Sequence, residues 1–273
     1  MIIVGSKEQA ASTEAGRTLR GLTALAGFRA WVVVVAALIG VFALQPFYSE
    51  LIGPLSNIFP TACALGAFVS ASLCLRRYGF GLRSFEAVWF CFALGTGLWV
   101  LAESSWAFYY FVLGVQVPYP SLADVFYIGG YLPIIAGLGA YLWTFRVAMS
   151  MRRLGFAIVV VGIATSLAMA FVLPVEFAKN LSLVNLVTDM IYPVLDLVLL
   201  SLAILSLAIF YGGSIAKWWV LFGMGATLYV IADEFFLYQV AGGTYYNGGL
   251  DDLIFLLGYS VFALAFYAHR KEF

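Results

Sequence analysis

The chain has 273 residues, 64% of them hydrophobic and 10% charged, and its mean hydropathy is +1.01. Soluble domains carry roughly 45–50% apolar and 25% charged residues, so this composition excludes a water-soluble enzyme and specifies a polytopic membrane protein. Fourteen basic and fourteen acidic residues cancel to a formal net charge of zero, which offers nothing to a nucleic acid and makes the lipid bilayer the first partner.

The expected class is all-α, with about eight transmembrane helices, since a span needs roughly 20 apolar residues and the sequence divides into that many stretches. Residues 1–27 are polar and read as a cytoplasmic tail. The first span, 30–47, is too long for a signal-peptide core and is kept as an anchor. The second, 56–75, carries Ile58-Phe59-Pro60 and Cys63. In the third, 85–113, Trp99, Glu103, Trp106 and Tyr110 share one face at helical spacing. The fourth, 121–148, follows Pro118 and Pro120; Ser121 and Asp124 have the spacing of a capping box, and Tyr127 and Tyr131 lie on the face of Asp124. After the fifth, 154–175, the sixth, 182–210, aligns Asp189, Tyr192, Pro193 and Asp196. The seventh, 218–240, contributes Tyr229, Asp233 and Phe236, and the eighth, 250–268, contributes Asp252, Phe255 and Tyr259.

These elements contain one passage twice. Trp89, Gly95, Leu98, Trp99, Ala102 and Glu103 recur as Trp219, Gly225, Leu228, Tyr229, Ala232 and Asp233, at an offset of 130. Asp124, Gly130 and Tyr131 recur as Asp252, Gly258 and Tyr259 at an offset of 128, and Ile58-Phe59-Pro60 echoes Ile191-Tyr192-Pro193, with Cys63 opposite Asp196. The expected organisation is therefore a four-helix repeat over 28–150 and a second over 151–273. An even number of spans per copy gives both the same orientation, related by an axis along the membrane normal.

Charge fixes the expected topology. On eight spans, thirteen of the fourteen basic residues fall on one face and only Lys179 on the other, so the positive-inside rule puts both termini in the cytoplasm of a multi-pass plasma-membrane protein. His269 is expected in the C-terminal cytoplasmic tail, which argues against histidine-ligated haem or a zinc hydrolase site within the membrane. Cys63, Cys74 and Cys91 have no metal-site spacing, and the sequence identifies neither a cofactor nor a metal.

Acids inside an apolar duplicated unit are costly, which makes them the place to look for function. The candidate ligand-binding residues are Glu103, Trp106, Asp124, Tyr131, Asp189, Tyr192, Asp196, Asp233, Asp252 and Tyr259, arranged as an acidic and aromatic pocket facing outward and suited to a small-molecule or cationic ligand. No catalytic residue is assigned. Structural alternatives stay open: Asp124 and Asp252 as helix caps, Glu103 and Asp233 as protonated links between helices, and Trp106, Tyr109, Tyr110, Tyr245 and Tyr246 as an interfacial aromatic belt.

The phrases Glu103-Ser104-Ser105-Trp106 and Pro120 through Pro133, PSLADVFYIGGYLP, resemble a signature of multi-span N-terminal regions of bacterial and archaeal signalling proteins, those attached to diguanylate cyclase, cyclic-di-GMP phosphodiesterase, or PAS and histidine-kinase modules. Tyr192 to Asp196 and the run from Asp233 to Tyr259 resemble later elements of the same family. The resemblance implies a membrane sensory or accessory module. Its output, absent from these 273 residues, is expected from a signalling partner in trans. A shorter stretch, Gly225 to Asp233, is similar to lysoplasmalogenase-like membrane hydrolases, which implies Asp196 and Asp233 polarising water against a lipid. A cation- or proton-coupled transporter is the other alternative.

Overall fold

A backbone N–H or C=O within hydrocarbon finds no water, so an apolar chain satisfies its peptide groups internally by coiling into helices. The computed structural model describes residues 27–79, 84–145, 183–210 and 216–272, with Met151, Arg152, Gly155, Val159, Val160, Gly162 and Ile163. Its described elements are α1 (Phe28–Ala43), a 3₁₀ turn (Gln45–Phe47), α2 (Ser49–Tyr78), α3 (Ser84–Phe108) continued by a π turn (Tyr109–Leu113), α4 (Leu122–Thr144), α5 (Leu183–Phe210), α6 (Ala216–Gly242) and α7 (Leu250–Glu272).

Six helices, α2 to α7, are long and apolar enough to cross a membrane. The first expected span is the shorter helix α1, whose 16 residues reach about 24 Å against a hydrocarbon core of roughly 30 Å. The tail at 1–26 lies outside the described residues, as does the fifth expected span apart from isolated positions. Helix α2 starts seven residues before its expected boundary at 56, because Glu50, Gly53 and Pro54, which resemble a loop in sequence, are carried in helix. The π turn closes on Gly114 at φ 63°, a left-handed conformation that glycine adopts without a Cβ penalty.

Each long helix packs against its successor and α7 packs against α2, closing a ring, while α1 lies outside it on α7. Hydrogen bonds give the directions. Tyr119 reaches Asp189, Tyr192 reaches Asp124 and Tyr131 reaches Asp196, so residue numbers rise together and α4 runs parallel to α5. Helices α7 and α2 are parallel in the same sense: Gly248 adjoins Ile52, Cys74 Sγ donates to the Phe266 carbonyl at 3.3 Å, and Arg77 donates to the Arg270 carbonyl at 3.0 Å.

At the centre, Trp99 stacks on Tyr229 with centroids 4.5 Å apart and an interplanar angle of 12°. Tyr131 stands edge-on to Trp99 at 5.5 Å, and Tyr259 stands edge-on to Tyr229 at 5.4 Å. Glycines admit these rings. A Cβ on Gly130 would lie 2.5 Å from Trp99 Cδ1 and 2.9 Å from the Gly95 carbonyl oxygen, whereas one on Gly258 would lie 3.5 Å from the Gly225 carbonyl.

The far end of the bundle is filled by Trp89, Trp218, Trp219, Phe222 and Phe266. His269 belongs there. The sequence places it in a cytoplasmic tail, but α7 continues past it, and the imidazole is 1% exposed with its centroid 4.5 Å from Trp89 and 4.9 Å from Trp218. The short polar stretch His269-Arg270-Lys271 hides the helical continuation in sequence.

Candidate functional site

At the end opposite Arg76, Arg77, Arg270 and Lys271, the ring opens into a cavity holding about 660 Å³ of atom-free space, its mouth included. Four carboxylates line it, one each from α3, α4, α6 and α7: Glu103, Asp124, Asp233 and Asp252. Its walls include Trp106, Phe236 and Tyr245, and among the described residues that line it there is no Lys, Arg or His. These three rings are mutually edge-on, with Trp106 5.9 Å from both Phe236 and Tyr245, and Phe236 5.1 Å from Tyr245.

Local sequence explains how the acids are held. Ser121 caps α4, accepting from the Ala123 N–H at 3.2 Å, while one Asp124 oxygen accepts the Ser121 N–H at 2.6 Å, a capping box. The other Asp124 oxygen accepts from the Tyr192 hydroxyl at 2.8 Å, so one side chain caps α4 and ties it to α5. Asp252 in the first turn of α7 accepts the Gly248 N–H at 2.6 Å, the corresponding use of an acid at a helix start. Tyr245, in the loop before α7, has its phenol pushed up by burial and then by the neighbouring Asp252 charge, so it presents a neutral hydroxyl.

Deeper acids are held by phenols across the ring. Glu103 Oε1 accepts from Tyr127 at 2.8 Å and from Tyr259 at 2.9 Å. The Tyr229 hydroxyl lies 3.1 Å from that of Tyr259, so with the Tyr259 proton committed to Glu103, Tyr229 is the donor. The Tyr131 oxygen bonds both Asp196 and Asp233, the latter at 2.5 Å. One phenol proton cannot serve two acceptors, so the second bond takes its proton from a carboxyl. The bond between Tyr259 and Glu103 ties α7 to α3, and that between Tyr131 and Asp233 ties α4 to α6.

Of the ten residues expected at the site, Glu103, Trp106, Asp124, Tyr192, Asp233 and Asp252 line the cavity. Tyr131, Tyr259 and Asp196 are buried members of the hydrogen-bond network attached to its acids. Asp189 is buried and held by Tyr119. The sequence reading did not assign Ser56, Asn57 and Asn247, which also line the cavity. A signal existed for the first: the alignment that pairs Pro60 with Pro193 puts Ser56 opposite Asp189. No protein-family model, curated protein or solved structure matches the chain.

Proposed function

We propose that the chain is an integral membrane binding module that takes a cationic organic group into the acidic cavity and serves as a sensory or accessory component of a signalling system. The carrying observation is the lining itself: four carboxylates and three mutually edge-on rings surround one cavity, with no basic residue among the described residues that line it. A cation gains from both surfaces, by charge from the acids and by ring quadrupole from Trp106, Phe236 and Tyr245. The acids are spread over four helices, and among the described residues no three acids, histidines or cysteines stand close enough to hold a metal ion. An amine with its charges spaced along a chain would meet acids on more than one helix.

Two features support an outward-facing cavity built between parallel repeats. The parallel run of α4 and α5 supports the fifth span and with it the eight-span count. The basic residues at the opposite end favour cytoplasmic placement of that end and of both termini. The resemblance to membrane sensory regions supplies the signalling role and a partner protein.

A proton- or cation-coupled transporter is the second reading, favoured by the Tyr131 oxygen shared between Asp196 and Asp233. The hydrolase reading is weaker, since Asp196 does not line the cavity from which it would polarise water. Proteoliposomes separate the first two readings. A radiolabelled linear polyamine should bind saturably at the outer face without accumulating under an imposed pH gradient; accumulation would move the chain to the transporter class.

A further inference from the structure

At the end opposite the acidic cavity, the parallel helices α2 and α7 finish side by side. Arg76 and Arg77 occupy the last turn of α2, Arg270 and Lys271 that of α7, and the bond from Arg77 to the Arg270 carbonyl joins the two ends. Cations at helix C-termini are ordinarily explained by the helix dipole. The dipole does not explain a concavity. Leu73, Arg76, Arg77 and Arg270 line an open cleft, with about 680 Å³ of atom-free space when the solvent at its mouth is included.

An apolar line leads into this cleft. Leu65 and Val69 are 47% and 45% exposed on α2, and Leu73 and Arg77 follow at the same four-residue interval, so each adjoins the next while the row as a whole winds about a third of a turn round the helix. An apolar track along a membrane span, crowned by guanidinium groups where the span ends, matches an amphiphile whose head is anionic. Guanidinium forks meet phosphate oxygens in a bidentate manner, and basic pockets between membrane helices take phospholipid head groups. We propose that the α2–α7 cleft binds an anionic phospholipid, its phosphate held by Arg76, Arg77 and Arg270 and one acyl chain lying along Leu73, Val69 and Leu65. A soluble phosphate would use the guanidinium groups but leave the track bare.

The test uses the full chain in neutral detergent. Native mass spectrometry counts bound lipid, and melting temperature is followed while phosphatidylglycerol, phosphatidylcholine or inorganic phosphate is added. The expected result is one retained phosphatidylglycerol and a saturable rise in melting temperature that neither phosphatidylcholine nor inorganic phosphate reproduces. With each guanidinium contributing roughly five-fold, the double variant Arg76→Gln with Arg270→Gln should bind about 25-fold more weakly. Arg29→Gln, a basic-to-neutral change on α1, should alter binding less than two-fold. Arg76→Lys keeps the charge but loses the fork, and should fall between wild type and Arg76→Gln while melting normally without lipid. Weakening by Arg29→Gln equal to that by Arg76→Gln would reduce the effect to diffuse charge and overturn the site. Saturation by inorganic phosphate alone, or no retained anionic lipid, would overturn it too.

Discussion

Tyr131 has two acidic neighbours and one proton, which makes it the side chain on which the deep polar network turns. Removing its hydroxyl leaves Asp196 and Asp233 without that partner, in a position where the ring is fully buried. Tyr131→Phe should therefore destabilise the protein by roughly 1–3 kcal/mol, read as a fall in melting temperature in detergent. Tyr127→Phe should cost less, because Glu103 Oε1 keeps its bond from Tyr259. The acids were legible in sequence because a charged residue stands out in an apolar passage, and their phenols because helical spacing places Tyr127 and Tyr131 on the face of Asp124. Which phenol serves which acid was not legible: the bonds run across the ring, from Tyr259 to Glu103 over a separation of 156 residues.

Among the elements, the close approach of α3 and α4 makes the sharpest demand on sequence. Gly95 and Gly130 face each other's carbonyls, and a Cβ at Gly130 would collide with Trp99 and with the Gly95 backbone. Backbone cannot give way as a flexible side chain can. Gly130→Ala should cost roughly 1–3 kcal/mol of stability by overpacking. Gly258→Ala, at the matched position in α7, should be nearly silent, since its nearest contacts begin at 3.5 Å. Equal losses in a melting comparison would show that the two helix pairs are packed alike after all. Sequence alone equates these glycines; only the separation of the helices distinguishes them. Element ends were harder to see, because Glu50 and Pro54 in α2 and His269 in α7 are polar or helix-breaking residues carried within helices.

For the whole molecule, hydropathy was sufficient to establish an all-helical membrane class, and six of the described helices meet the length and apolarity of a span. Ring closure was not legible, because it depends on parallel contacts between α4 and α5 and between α7 and α2, elements far apart in the chain. The matched acids lead to the expectation of a two-fold arrangement, yet at the expected register Cys63 and Phe59 stand opposite Asp196 and Tyr192. Orientation is open to direct measurement. In a cysteine-free background, Thr244→Cys and Gln116→Cys should react with an impermeant thiol reagent from outside and Arg152→Cys should not; reversed labelling would place the acidic cavity on the cytoplasmic face.

Whether the cavity recognises positive charge is decided by calorimetric titration of the purified protein with a linear polyamine, beside an uncharged polyol of similar length. Wild-type protein should bind the amine saturably and ignore the polyol. Glu103→Gln and Asp233→Asn keep the size and hydrogen-bonding capacity of the acids while removing their charge, so each should weaken amine binding at least ten-fold, with the fold preserved. Full amine affinity in both variants, or equal binding of amine and polyol by the wild type, would contradict a cation site in this cavity.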